Sequence, residues 1–246
     1  HTVCDTLRST NFAPGGFAEY IRLPRINVDR GVFPLPDEVS FEEATFIEPL
    51  ACVLRGQRLA HLQPGYVVLV IGSGIAGLLH IQLARALGAS RVIATDIAEY
   101  RLEAARRFGA DAAIQAKEYT PAYLRQVANG RLADLVVICT GATSAITQAL
   151  QSVERGGTVL FFAPTDQGIT IPVSVNDLFW RNEITLTSSY AGSPADYTTA
   201  LELIRAGRIC VKEMITHRLG LAETGMGFQL VAQAQDSIKV IIEPQR

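Results

Sequence analysis

The chain has 246 residues, 48% hydrophobic and 19% charged, enough to bury a large core as one big domain or as a domain with a further part. Lys and Arg (22) nearly balance Asp and Glu (24), and a net charge of -2 gives no electrostatic footprint for nucleic acid or an anionic membrane. No apolar run reaches the roughly 18 residues of a membrane-spanning helix. The start, His1 to Asp5, has no basic stretch followed by an apolar one, so it does not read as a signal peptide; lacking an initiator Met, it reads as a fragment or a processed chain. Cys4, Cys52, Cys139 and Cys210 form no Cys-x-x-Cys pair, hence no local zinc or redox motif, and such sparse cysteines fit a reducing cytoplasm. Cys139 and Cys210 lie in apolar runs and are expected as small core residues.

Residues 1–48 differ in pattern from the rest of the chain. Gly15 to Leu23 alternates like an antiparallel strand opened by a glycine turn, and Pro24, Pro34 and Pro36 break up the next stretch. Ser40-Phe41-Glu42-Glu43 reads as a capping box, predicting a helix through Ala44, Ile47, Ala51, Leu54 and Leu59 with Pro49 near its first turns. From Gly65 strands and helices alternate. The strands are Tyr66 to Ile71, Arg91 to Thr95, Ala112 to Ile114, Leu135 to Cys139, Thr158 to Phe162 and Ile184 to Ser188. The helices between them are Ile75 to Leu87, Glu99 to Phe108, Pro121 to Ala128 and Ser144 to Val153, with Gly88, Gly109 and Gly156-Gly157 as stops. This is the pattern of an α/β fold, a doubly wound parallel Rossmann sheet covered on both faces. The tail, 190–246, predicts helices over Asp196 to Arg205 and Ala222 to Ala234 and a strand over Ser237 to Ile242. It is too short for a domain alone and is expected to pack with residues 1–48.

The strongest motif is Gly72-Ser73-Gly74-Ile75-Ala76-Gly77, a G-x-G-x-x-G that follows an apolar strand and opens a helix. Gly72 permits the tight turn, Gly74 lets a pyrophosphate approach the backbone, and Gly77 lets helix and strand pack closely. The helix start offers N–H groups and a positive dipole end to phosphates. The bland alternative is an ordinary tight strand–helix turn. Asp96 ends the second strand 19 residues after Gly77, where a ribose-binding acid is expected. A carboxylate there accepts from the 2′- and 3′-hydroxyls and repels a 2′-phosphate, favouring NAD over NADP; its alternative is a helix cap. Arg101 complicates that preference, since it could serve a 2′-phosphate, although stacking on the adenine or ribose side suits it better. Methyltransferases that use S-adenosylmethionine, and FAD enzymes, share a glycine-rich first loop, the latter usually near the N-terminus.

Dispersed motifs sharpen the reading. GGFAEY (15–20), IEPLAC (47–52), PGYVVLVIGSGIAGLLHIQLARALGA (64–89), TD with RLEAARRFGAD (95–111), CTG (139–141), ITHRLGL (215–221) and SIKVIIEP (237–244) occur in the order and spacing of one family. Over its whole length the chain resembles the zinc-dependent medium-chain dehydrogenases, most of all the sorbitol, threonine and related polyol dehydrogenases. The resemblance implies an NAD-binding Rossmann domain at 49–189 and parts of a β-rich, GroES-like catalytic domain at 1–48 and 190–246. It implies hydride transfer between a secondary alcohol or polyol and NAD, in a homo-dimer or homo-tetramer of the cytoplasm with no nucleic-acid or membrane partner.

The same resemblance distributes roles. Ala76, Ile97 and Arg101 would line the adenosine and phosphate side. Thr140 and Gly141 would touch the cofactor after the fourth strand. Phe162, Ala163 and Pro164 would offer backbone contacts near the nicotinamide carboxamide, with Ala163 standing where the family usually has Gly. Ser188, Ser189 and Tyr190 would return toward the cleft or simply end a strand. The family's zinc cysteine and Gly-His-Glu segment precede the region where this sequence starts. Cys4 resembles the last of four cysteines of the structural zinc lobe without the other three, so a thiol near a terminus is the better reading. Glu48 matches a glutamate that can ligate or approach the catalytic zinc, or it satisfies N–H groups at a helix start. Zinc is expected in the intact family member and not on this chain, which is then either the NAD-binding portion of the dehydrogenase or a catalytically silent dinucleotide-binding module. His61 is expected in solvent, His80 packed or half-exposed, and His217 at a surface or interface; none has a metal-ligand neighbour four residues on.

Overall fold

A computed structural model describes residues 2–9, 12–234 and 236–246. The chain divides into two compact units, His1–Ala51 with Gly192–Arg246, and Cys52–Ala191.

The first unit opens with short helices α1 (Asp5–Ser9), α2 (Arg25–Gly31) and α3 (Phe41–Ala44), followed by α4 (Ile47–Leu59), within which the division between units falls. The strand expected over 15–23 is not formed. Ala13 and Arg22 make one antiparallel bridge, and Pro14 and residues 16–19 between them are bends. Pro14 and Pro24 flank that stretch and remove the N–H groups a longer ladder would need. The capping box of α3 is present: Ser40 Oγ accepts from the Glu43 N–H and Glu43 Oε2 accepts from the Ser40 N–H at 3.0 Å. The single helix expected from Ser40 to Leu59 is in fact two, separated at Thr45 and Phe46. The cause is Pro49. A continuous helix would need the Pro49 N–H to reach the Thr45 carbonyl, whereas restarting at Ile47 puts the proline in the first turn, where its missing N–H costs nothing.

The second unit is the sheet. β1 (Val67–Ile71) is five apolar residues, all buried. It is followed by α5 (Ile75–Ala86), β2 (Arg91–Asp96), α6 (Glu99–Arg107), β3 (Ala112–Gln115), α7 (Pro121–Val127), β4 (Ala133–Ile138), α8 (Thr143–Ser152), β5 (Val153–Phe161) and β6 (Thr185–Ser188). The strands are all parallel in the order β3-β2-β1-β4-β5-β6. This is the doubly wound Rossmann order, whose reversal lies between β1 and β4. Period-two alternation sorts the buried residues to two faces. Val67, Leu69, Ile71, Val136 and Ile138 join Leu124, Ala145, Ile146 and Ala149 of α7 and α8. Val70 points the other way, against Gly77 of α5. A polar pair closes the α7–α8 side, where the buried Tyr119 hydroxyl donates to Ser152 Oγ at 2.7 Å.

The first unit resumes with α9 (Pro194–Arg205), capped by Ser193, then β7 (Ile215–Gly220), α10 (Thr224–Gln233) and β8 (Lys239–Glu243). β7 and β8 pair in parallel, with α10 as their crossover. Cys210 is exposed, not a core residue. Its neighbours Ile209 and Val211 are buried, so local alternation turns Cys210 outward. Among the described residues no helix is long and apolar enough to cross a membrane.

Candidate functional site

The carboxyl ends of β1, β2, β4 and β5 carry most of the residues singled out by the sequence. Gly72 leaves β1 with φ +96, a left-handed conformation that side chains rarely adopt, and its N–H donates to the Thr95 carbonyl at 2.9 Å. A Cβ there would also press on the Cys139 carbonyl at 3.0 Å. A Cβ on Gly77 would collide with the Gly72 carbonyl, so the loop can close back on its helix only with glycine at both places. Gly74 differs. It is the N-cap of α5, makes no side-chain cap hydrogen bond, and a Cβ would meet nothing nearer than the Arg101 guanidinium at 3.8 Å. The first turn of α5, with Ile75 and Ala76 half-buried, therefore presents N–H groups that no cap consumes, beside a glycine with space in front of it. That is the arrangement an anion-binding helix start requires.

Asp96 closes the adjacent strand and is 6% exposed. Its Oδ2 accepts from the Ser73 N–H at 2.7 Å and its Oδ1 from the Ala98 N–H at 2.9 Å. The carboxylate thus ties the glycine loop to the end of β2 and caps the turn into α6. The ribose and cap readings of the sequence are not exclusive, because each carboxylate oxygen keeps a second lone pair. Ser73, absent from the expected site residues, is part of this device: it is buried and its hydroxyl donates to the Thr95 carbonyl at 3.2 Å. The motif leaves that position unspecified, so spacing alone could not mark it. Ile97 stands 84% exposed beside Asp96, an apolar surface at the rim. Arg101 lies 4.0 Å from Asp96 Oδ2 and donates through Nε to the Tyr100 hydroxyl at 2.9 Å.

On the other side of the reversal, Thr140 and Gly141 follow β4. Thr140 Oγ1 accepts from the Ala142 N–H at 3.3 Å. A Cβ on Gly141 would fall 2.8 Å from the Pro164 carbonyl, so the loops after β4 and β5 touch. The N–H groups of Phe162 and Ala163 both reach the Ile138 carbonyl, at 3.2 and 3.0 Å. Ser188 ends β6 opposite Phe161 and is exposed, and the buried Ser189 Oγ finds no hydrogen-bond partner among the described residues. The glycine loop, Asp96, Arg101, Thr140, Gly141 and Phe162 to Pro164 are thus gathered along one rim, with Ser188 at its far edge.

Glu48 and Cys4 belong to the other unit. Glu48 sits in the first turn of α4, and its charge acts on Lys239, whose ammonium stands over the Phe46 ring at 5.2 Å. Burial lowers the Lys239 pKa and Glu48 opposes that shift. Cys4 is exposed. Among the described residues no three His, Cys, Asp or Glu side chains form a group that could hold a metal ion. One carboxylate does not by itself make a tetrahedral zinc site, which takes four ligands. His61 is exposed, His217 half-exposed and His80 fully buried.

A family model described as zinc-binding dehydrogenase matches residues 76–206. The chain is 29% identical to a D-xylulose reductase of Saccharomyces cerevisiae, over 86% of this chain and 60% of the relative. It is 30% identical to a sorbitol dehydrogenase of Bacillus subtilis, over 94% and 64%. It therefore spans about three fifths of the length of these curated relatives. Among solved structures, an alcohol dehydrogenase of Thermus sp. ATN1 superposes with a TM-score of 0.84 at 28% identity, covering 94% of this chain and 66% of that one. A protein of Sinorhizobium meliloti 1021 solved with NADP bound gives 0.82 at 28% identity, with the same coverage. With the loop geometry, the sheet order and a family match over more than half of its residues in agreement, the chain belongs to the zinc-binding dehydrogenases.

Proposed function

We propose that this chain is the NAD-binding portion of a zinc-type polyol or secondary-alcohol dehydrogenase, working in the cytoplasm as a homo-dimer or homo-tetramer. The observation that carries the reading is the open N-terminus of α5 behind Gly74, with Asp96 fixed beside it. The pyrophosphate would lie on that helix start, and Asp96, Ile97 and Arg101 would take the adenosine half. Thr140, Gly141 and Phe162 to Pro164 would seat the nicotinamide half, with Ser188 and Ser189 beyond them. The nicotinamide ring supplies the hydride chemistry when bound; these residues supply binding and orientation. A buried carboxylate at the ribose position opposes a 2′-phosphate, so NAD is preferred even though a relative holds NADP. The names of the sorbitol and xylulose relatives support a polyol substrate. The residue boundaries 49–189 for the nucleotide domain, with 1–48 and 190–246 in a catalytic domain, belong to the same reading.

Fluorescence titration tests it. NADH is expected to bind saturably and more tightly than NADPH, and Asp96→Asn to narrow that gap. Saturable binding of S-adenosylmethionine with none of NADH would overturn the assignment. A second reading is a dinucleotide-binding module with no turnover of its own, in which Glu48, in the first turn of α4, serves the N–H groups of a helix start instead of a metal. Zinc-dependent oxidation of sorbitol by this chain would eliminate it.

A further inference from the structure

One polar cluster of the sheet unit is not used by the loop or by Asp96. His80 lies on α5 and is completely buried, as is Gln57 of α4. Gln57 Nε2 donates twice, to His80 Nδ1 at 3.1 Å and to the His80 carbonyl at 2.8 Å. Because Nδ1 accepts, the ring proton of the neutral imidazole resides on Nε2. That Nε2 has no hydrogen-bond partner among the described residues. What the ring does touch is Phe162, edge to face, with centroids 4.5 Å apart and planes at 87°. Such an arrangement suits an aromatic pair. The Phe162 ring is confined from α4 as well: a Cβ on Gly56 would come within 3.3 Å of it. Phe162 is the first residue beyond β5, and its N–H and that of Ala163 share the Ile138 carbonyl. In a sheet of this order the dinucleotide lies across the strand ends at the reversal, so the loops after β4 and β5 receive the half beyond the pyrophosphate.

We infer that Gln57 and His80 are positioning residues for the cofactor: through the Phe162 ring they fix the loop after β5 and thereby the seat of the nicotinamide half, without touching the dinucleotide. This rests on the proposed NAD site. It separates two functions of α5, whose first turn receives phosphate while its buried face, one turn on, sets the far half of the same ligand. A histidine serves here because it combines a flat ring that packs on Phe162 with an acceptor for Gln57, which neither Leu nor Phe can do.

The test compares NADH with ADP-ribose, which lacks the nicotinamide ring, by calorimetry on wild type, His80→Leu, Phe162→Leu and the double variant. Each single change is expected to weaken NADH about fivefold and ADP-ribose less than twofold, with the double variant close to either single one. Equal weakening of both ligands, unchanged NADH affinity, or additive effects in the double variant would overturn the inference. Gln57→Met repeats the comparison if the His80 variant does not fold. On the unaltered chain, nitrogen-15 spectra at pH 7 should show His80 protonated at Nε2; protonation at Nδ1 would equally overturn it. If wild type binds neither ligand, the NAD site itself fails, an outcome distinct from binding with unaltered discrimination.

Discussion

Gly74 and Gly77 stand one helical turn apart, yet a methyl group added to each acts on a different property. At Gly74 it meets only a flexible guanidinium at 3.8 Å, so Gly74→Ala should leave the melting temperature nearly unchanged while filling the space a pyrophosphate needs. At Gly77 it strikes the Gly72 carbonyl, so Gly77→Ala should cost about 3 kcal/mol or more of stability, read by urea denaturation. Equal behaviour of the two variants would contradict this division of labour. His80 gives a pH signature. Burial holds its pKa down to about 3 against an ordinary 6.5, so between those values the unfolded chain carries a proton that the folded chain refuses. Stability from this group is complete above pH 6.5 and declines as pH falls, by at most about 1.4 kcal/mol per unit. Urea midpoints at pH 7, 5.5 and 4 should fall more steeply for wild type than for His80→Leu. The glycines and Asp96 were legible because spacing fixes them relative to a strand and a helix. Gln57 was not, since its partner is 23 residues away on another helix and only the fold unites them.

Elements were legible where periodicity was undiluted. β1 is an unbroken apolar run and β4 one interrupted only at Asp134, and each expected strand of the large sheet is present with ends shifted by up to five residues, most at the start of β5. β7 was missed because Thr216, His217 and Arg218 interrupt any apolar run; with partial burial on this short sheet it needs only Ile215 and Leu219 inside. The division of α3 from α4 shows a proline outweighing continuous helical patterning. α9 begins two residues before its expected start because Ser193 caps it, accepting from the Asp196 N–H while Asp196 Oδ2 accepts from the Ser193 N–H at 2.8 Å. Ser193→Ala should therefore cost about 1 kcal/mol, visible in chemical denaturation, while Thr198→Ala on the exposed face of the same helix should cost less.

At the scale of the molecule, β6 is the last strand of the sheet and, among the described residues, pairs with β5 alone. Thr185 and Ser188 are exposed on it, and Trp180 just before it is 75% exposed. An uncharged edge beside a large exposed indole is the surface on which the proposed dimer would form. Sedimentation should give a dimeric or larger mass for wild type, shifted toward monomer by Thr185→Lys and by Trp180→Ser. A monomeric wild type would count against assembly through this edge.

The interruption of one unit by the other also imposes an order on synthesis. Residues 52–191 leave the ribosome as an uninterrupted stretch, whereas the unit built from His1–Ala51 and Gly192–Arg246 must wait for its second piece. Until then residues such as Phe46 and Leu50, fully buried in the folded chain, lack the second piece of their unit, while the Rossmann sheet is free to fold ahead of it. Once that sheet has folded, it joins the waiting ends by a preformed bridge rather than a flexible loop, lowering the entropy lost in bringing them together. Translation pausing after the sheet has emerged should therefore favour productive folding, with residues 1–51 open to chaperones and proteases in the interval.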